Sequence, residues 1–232
     1  MATYVKLNDD TRGEWENPTQ ISFEILKTDL WLWVIPFHNG NTSLGFVGNE
    51  KYFDQFLEEG ADVTTAFNNM FDHSVKFKER FKDRELLWEP KVHKDYTRSS
   101  EKFFGDRFVL TGNTTEFLDP VFSSGVAFAT ESGLKAAKLV ERELNEEKVD
   151  WQKEYVEHLE YGIDVFRTYV KEWYSGDLQK IFFHANINPI MKKQLTSVLA
   201  GYVWDKKNPF VRKHKTIINT LAQVVDIEKM KA

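Results

Sequence analysis

Residues 108–126 read Phe108-Val109-Leu110-Thr111-Gly112-Asn113-Thr114-Thr115-Glu116-Phe117-Leu118-Asp119-Pro120-Val121-Phe122-Ser123-Ser124-Gly125-Val126. Buried strand, glycine, polar loop, proline, small-residue turn and helix follow in that order. The apolar run from Arg107 to Thr111 has strand character and feeds directly into Gly112. Gly112 permits a close backbone approach at the strand end, and the short amide of Asn113 can bond to a sugar or sugar-alcohol hydroxyl. Pro120 stiffens the loop. Ser123-Ser124-Gly125 opens a helix whose free N–H groups and positive dipole end can hold an anion or a developing negative charge. The plain structural alternative is a strand joined to a helix that Ser123 or Ser124 caps.

Downstream, helical periodicity runs from Gly125 to about Asn145, with Ala129, Leu134, Ala137 and Val140 among its apolar positions. Further helical stretches over 151–175, 190–201 and 210–230 are separated by Ser175-Gly176, Asn188-Pro189 and Asn208-Pro209, which predicts a helical cap. Upstream, a Gly105-Asp106 turn and a short strand near Val92–Thr97 precede the loop. Residues from Glu50 to about Arg84 pattern as helices, with Phe53, Phe56 and Leu57, then Ala66, Met70 and Phe71, then Val75 and Phe81 as apolar positions. The first fifty residues carry strand-like pieces at Tyr4–Leu7, Ile21–Leu26 and Leu30–Ile35. His38-Asn39-Gly40-Asn41 then turns the last of these into Thr42–Gly48 as a hairpin. The fold class expected is α+β.

Composition narrows the chemistry. The 232 residues contain no cysteine, which removes disulfides, Cys-ligated zinc, iron–sulfur clusters and thiol nucleophiles; it fits a reducing compartment, with the cytoplasm as default. A net charge of −5 with both signs interspersed offers no basic stripe for nucleic acid, and no apolar run approaches the roughly 20 residues of a transmembrane span. The six histidines are dispersed without metal-ligand spacing, so no metal is expected. Ser123 and Ser124 lack a Gly-x-Ser-x-Gly context, and Gly45-Phe46-Val47-Gly48 lies on a hairpin strand without a following phosphate-binding helix.

The order of residues in 108–126 resembles the second FAD motif of flavoprotein monooxygenases and flavin-dependent halogenases: Gly-Asp-Ala, a short gap, Asp-Pro, a small-residue pair, then Gly-Val. Gly112, Asp119, Pro120, Ser123, Ser124, Gly125 and Val126 match, while Asn113 stands where the family carries aspartate. A second stretch, Trp31-Leu32-Trp33-Val34-Ile35-Pro36, matches the Trp-x-Trp-x-Ile-Pro signature associated with the halogenases, with Trp31, Trp33, Ile35 and Pro36 at the defining positions. Its bland reading is an aromatic core strand. The resemblance spans roughly residues 1–140, with specific motifs at these two places, and the helical region after it carries no matching signature.

The resemblance implies FAD as cofactor, with Asn113 toward the ribitol chain through a neutral amide. By the same resemblance, the loop past Pro120 and the following helix end are expected to lie against the isoalloxazine pyrimidine edge. It implies a halide near Ser124 and Gly125, a flavin reductase as partner, and an aromatic or hydrophobic small-molecule substrate, carrier-bound forms included. Phe122 stands where tryptophan-specific halogenases carry glutamate, which points toward phenols, pyrroles or carrier-bound aromatics. The family's catalytic lysine and its Gly-x-Gly-x-x-Gly fingerprint belong to an N-terminal Rossmann-like half; neither is found in these residues, so that half reads as absent and the catalytic residues stay unassigned. The expected organisation is residues 1–95 as a substrate-domain antiparallel sheet with a helical insert, 96–147 as the strand–loop–helix completing an FAD site, and 148–232 as the helical C-terminal region. Two other readings stay open: an isoprenoid-type flavin reductase, and a non-catalytic protein that binds a hydrophobic ligand on its aromatic sheet.

Overall fold

The computed structural model describes residues 1–9, 15–59, 62–82 and 84–231. Readings that touch 10–14, 60–61, 83 and 232 lie outside the described residues. The chain divides into two compact units, Met1–Tyr96 and Thr97–Ala232.

The first unit is built on a five-stranded antiparallel sheet. Its strands are β1 (Ala2–Asn8), β2 (Ser22–Lys27), β3 (Leu30–Pro36), β4 (Asn41–Gly48) and β5 (Lys91–His93), in the spatial order β2-β3-β4-β1-β5. Three helices follow β4: α1 (Glu50–Glu59), α2 (Val63–Phe71) and α3 (Lys78–Phe81). Alternation decides the two sheet faces. Val5, Leu7, Leu30, Leu32, Val34, Leu44 and Phe46 form one apolar core with Phe53 and Phe56 of α1, Phe67, Met70 and Phe71 of α2, and Phe81 of α3. The opposite face carries the aromatics. Gly40 closes the β3–β4 hairpin at φ +88°, a conformation glycine adopts without a steric penalty.

Val75 is not a core residue; it is 93% exposed. The carboxylate of Glu24 on β2 accepts from the Ser74 hydroxyl (2.5 Å) and from the Val75 and Lys76 amides (2.9 and 3.2 Å). That holds the turn after α2 with its backbone inward and the Val75 side chain outward. A buried ion pair, Arg80 Nη2 to Asp9 Oδ2 at 2.7 Å, ties α3 to the residue after β1, and the Thr42 hydroxyl donates to the same Asp9 oxygen at 2.8 Å.

The second unit is mostly helical. Two short ladders come first: β6 (Arg98–Ser99) with β9 (Glu116–Phe117), and β7 (Phe104–Gly105) with β8 (Phe108–Val109). Then come α4 (Gly125–Leu144), a π-helical turn at Gln152–Val156, α5 (Glu157–Ser175), α6 (Asp177–Phe182), α7 (Pro189–Leu199), α8 (Pro209–Arg212) and α9 (His214–Lys231). α5 is central, burying Leu159, Ile163, Val165, Phe166, Tyr169 and Trp173. Gly176, at φ +90°, ends it and starts α6, a short helix lying between the stretches 151–175 and 190–201 expected to be helical. No helix among the described residues is long and apolar enough to cross a membrane.

Two further expectations are corrected in this unit. The strand expected over Arg107–Thr111 shrinks to Phe108–Val109. One more bond of the same register follows, from the Leu110 amide to Phe103 O (2.7 Å); beyond it the backbone is satisfied elsewhere, Leu110 O accepting from the Tyr155 hydroxyl (2.5 Å) and the Thr111 amide donating to Thr114 Oγ1 (3.1 Å). In α4 the buried positions are Phe128, Ser132, Ala136 and Leu139, whereas Ala129, Leu134 and Ala137 are exposed. The helix period was right and its phase was not, because a serine holds the centre of the buried face.

Candidate functional site

The loop at 112–126 is built on α4. Gly112 has φ +58° and lies against that helix so closely that an added Cβ would sit 3.1 Å from Ala129 Cβ. Both the conformation and the approach call for glycine. Its buried amide donates to Ser132 Oγ at 2.8 Å, and the Ser132 hydroxyl donates in turn to Phe128 O at 2.5 Å. One serine side chain thus pins the end of the strand to the second turn of the helix.

Gly112–Thr114 forms a 3₁₀ turn held by reciprocal Thr111–Thr114 bonds, with the Thr115 hydroxyl donating to Gly112 O at 2.7 Å. The turn places Asn113 beside the start of α4: its Oδ1 lies 3.3 Å from where a Cβ on Gly125 would be. Asn113 and Gly125, twelve positions apart, are brought together.

Asp119 opens a second 3₁₀ turn, Pro120–Phe122. Its Oδ1 accepts from the Val121 amide and its Oδ2 from the Tyr174 hydroxyl, both at 3.0 Å. The Phe122 ring meets Trp173 edge-on, with centroids 5.6 Å apart. Ser123 then adopts φ +52°, a left-handed conformation uncommon for a residue with a Cβ. Ser124 is the residue before α4, but among the described residues its side chain makes no cap bond. The serine-capped helix expected as the plain alternative is therefore not what forms. The first amides of a helix have no intrahelical acceptor; among the described residues no side-chain cap from Ser124 reaches those of α4, and Val126 is 78% exposed beside them.

Residues that the motifs did not single out complete the support. Tyr155 is fully buried, and burial pushes its hydroxyl up to about 12, with Ser132 opposing, so it stays a neutral donor to Leu110 O. Buried Glu116 accepts from Ser99 Oγ and from Arg167 Nη2, the latter at 2.8 Å. The same pair lines a cleft of about 860 Å³ in this unit, together with Phe103, Tyr161, Asp164 and Lys215. Ser132 had a faint signal in the sequence, as a polar residue four positions from both Phe128 and Ala136 on one helix face. Tyr155, Arg167 and Tyr174 had none, lying 45 to 55 residues from their partners.

The Trp31–Pro36 stretch is in the first unit. Trp31 and Trp33 do share a face, with ring centroids 6.0 Å apart, opposite the Leu30, Leu32 and Val34 core side. The Trp33 indole lies over Gly45, donates from Nε1 to Ser43 Oγ at 3.2 Å, and has Tyr4 on its other side at 6.1 Å. Ile35 and Pro36 finish the strand half-buried, paired with Ser43 and Thr42.

No family model matches the chain. A 1H-pyrrole-2-carbonyl-[peptidyl-carrier protein] chlorinase of Pseudomonas fluorescens is 26% identical over 216 residues, covering 86% of this chain and 45% of that protein. A crystal structure of a flavoprotein/dehydrogenase from Cytophaga hutchinsonii is 47% identical with a TM-score of 0.91, covering 98% of this chain and 55% of that one. The flavin-dependent brominase Bmp2 shares the fold, with a TM-score of 0.74 at 23% identity over 98% of this chain and 56% of its own. The chain spans about half the length of the relatives it matches. In sequence and in fold the chain is similar to flavin-dependent halogenases and to a flavoprotein/dehydrogenase, over a C-terminal-like portion of such proteins.

Proposed function

We propose that this chain supplies the flavin-facing loop and a substrate-side sheet of an FAD-dependent oxidoreductase of halogenase or monooxygenase type. The observation that carries this reading is the meeting of Gly112-Asn113 with an uncapped helix start at Ser124-Gly125. The cradle fits a flavin on two counts. The Asn113 amide offers a hydroxyl partner, and the first amides of a 20-residue helix offer donors with the positive dipole end behind them.

When bound, FAD would supply the redox chemistry, taking electrons and passing them to oxygen. The residues of this chain do the rest. Asn113 orients the sugar-alcohol chain, and its neutral amide adds no negative charge beside the helix end. The α4 amides stabilise negative charge on whatever faces them, a flavin edge or a halide at Ser124-Gly125. Gly112, pinned through Ser132, sets the distance between the two. Within the first unit, half-buried Trp33, Ile35 and Pro36, backed by buried Trp31, offer apolar surface suited to an aromatic or lipid-like substrate, and within the second unit half-buried Phe122 adds an apolar side chain on the loop itself. Relatives named for carrier-bound pyrroles favour an aromatic carried on a carrier protein.

Titration with FAD tests the cofactor reading. The chain has no Gly-x-Gly-x-x-Gly, so it is expected to bind FAD weakly by itself and tightly once joined to a dinucleotide-binding portion. In the joined protein, Asn113→Ala is expected to weaken FAD about tenfold, the worth of one hydrogen bond. Supplying reduced flavin and oxygen with an aromatic substrate, with and without chloride or bromide, separates the two chemistries by product mass. Halide-dependent incorporation identifies halogenation, and oxygen insertion regardless of halide identifies hydroxylation. Failure of the joined protein to bind FAD would sink the reading.

A further inference from the structure

We propose that Tyr174 and Trp173, in the last turn of α5, are positioning residues that clamp the flavin-facing loop and so aim the free amides of α4. The functional meaning of the clamp rests on the flavin reading above; the clamp itself rests on geometry. Asp119 is engaged on both oxygens: Oδ1 holds the Val121 amide and Oδ2 takes the Tyr174 hydroxyl, each at 3.0 Å. A carboxylate suits this task, because each donor has its own acceptor oxygen. Next to it, the edge-on contact of Phe122 with buried Trp173 fixes the apolar side of the same turn.

What the clamp secures is Ser123. A left-handed serine persists where its surroundings over-determine it. Here the Ser123 amide donates back to Pro120 O at 2.8 Å, while the turn carrying Pro120 is held by Asp119 and Phe122. From Ser123 the backbone passes directly into Ser124 and the first amides of α4. Release of the clamp would let Ser123 relax and swing those donors away.

Two further contacts show that α5 and the π-helical turn before it back the whole segment. The Tyr155 hydroxyl donates to Leu110 O, Arg167 pairs with Glu116, and Tyr174 holds Asp119. Contacts advance along the loop, 110, 116, 119, as the helical run advances, 155, 167, 174. The helical region after residue 148, which carries no motif of its own, is in this respect part of the loop's machinery.

The test uses two readouts on Tyr174→Phe, which removes one hydroxyl and keeps the ring. Amide hydrogen exchange at Val121 and Ser123 is expected to accelerate about tenfold, with the melting temperature and the β1–β4 amides unchanged. FAD affinity, measured by titrating FAD into the protein joined to its dinucleotide-binding portion, is expected to fall five- to tenfold. Asp119→Asn should act similarly alone and add little in the Tyr174→Phe background, the signature of one coupled pair. Trp173→Phe serves as the second variant and should accelerate the same amides. Unchanged exchange at Val121 and Ser123 in Tyr174→Phe overturns the clamp. Faster exchange with unaltered FAD affinity overturns its role toward flavin. If the unmodified protein binds no FAD, the cofactor reading falls while the exchange arm still decides the clamp.

Discussion

Ser132 is fully enclosed, and its single hydroxyl serves two backbone groups, Gly112 N and Phe128 O. Ser132→Ala would leave the buried Gly112 amide without an acceptor, which costs about 1–3 kcal/mol. Urea unfolding of the second unit should show that loss, and a change below a few tenths would mean the amide finds water. His158 supplies a prediction in pH. Its ring stacks on Trp204, with centroids 5.3 Å apart, and Nε2 lies 2.7 Å from Glu131 Oε1. Burial holds the imidazole below its ordinary 6.5 despite the opposing pull of Glu131, and Lys135 and Lys206 add to the depression. As pH falls, the unfolded chain takes up this proton before the folded one, so stability declines from about pH 6.5 downward. Thermal melts between about pH 7 and pH 5 should show a slope that His158→Gln flattens.

At the scale of elements, β3, β4 and β1 are registered by one close contact. Gly45 pairs with Trp33 on one side and Tyr4 on the other, and the indole occupies the space above it. An added Cβ would stand 2.2 Å from the ring, so Gly45→Ala must displace Trp33 at a cost of about 1–3 kcal/mol. Near-UV circular dichroism would report the displaced indole; an unchanged spectrum would refute the contact. The β3–β4 hairpin was legible in the sequence because Asn39-Gly40 encodes a turn locally. The long helix α4 was legible because twenty residues of period 3.6 outweigh single exceptions. The strand before Gly112 was over-read for a physical reason. Its residues have strand propensity, but past the Leu110 amide the hydrogen bonds that would extend a strand went to Tyr155 and Thr114.

For the molecule as a whole, the Asp9–Arg80 pair belongs to the first unit alone, with both side chains almost fully buried. Arg80→Met strands a buried carboxylate and should cost that unit about 3–5 kcal/mol. Exchange of the α4 and α5 amides should stay at its original rate, and a matching loss there would show the two units unfolding as one. The sequence by itself determined the mixed α and β character of the fold, the turn at Asn39-Gly40, the long helix after Gly125 and the order of glycine, polar loop, proline and small residues between Gly112 and Gly125. These depend on nearest-neighbour chemistry: φ freedom, period and the order of small and polar residues. Only the tertiary structure decided which face of α4 is buried, that Ser124 leaves the helix start uncapped, and that Tyr155, Arg167, Trp173 and Tyr174 back the loop. A side chain meeting a partner some fifty residues away leaves no local pattern, because what selects it is the packing of one helix against one loop.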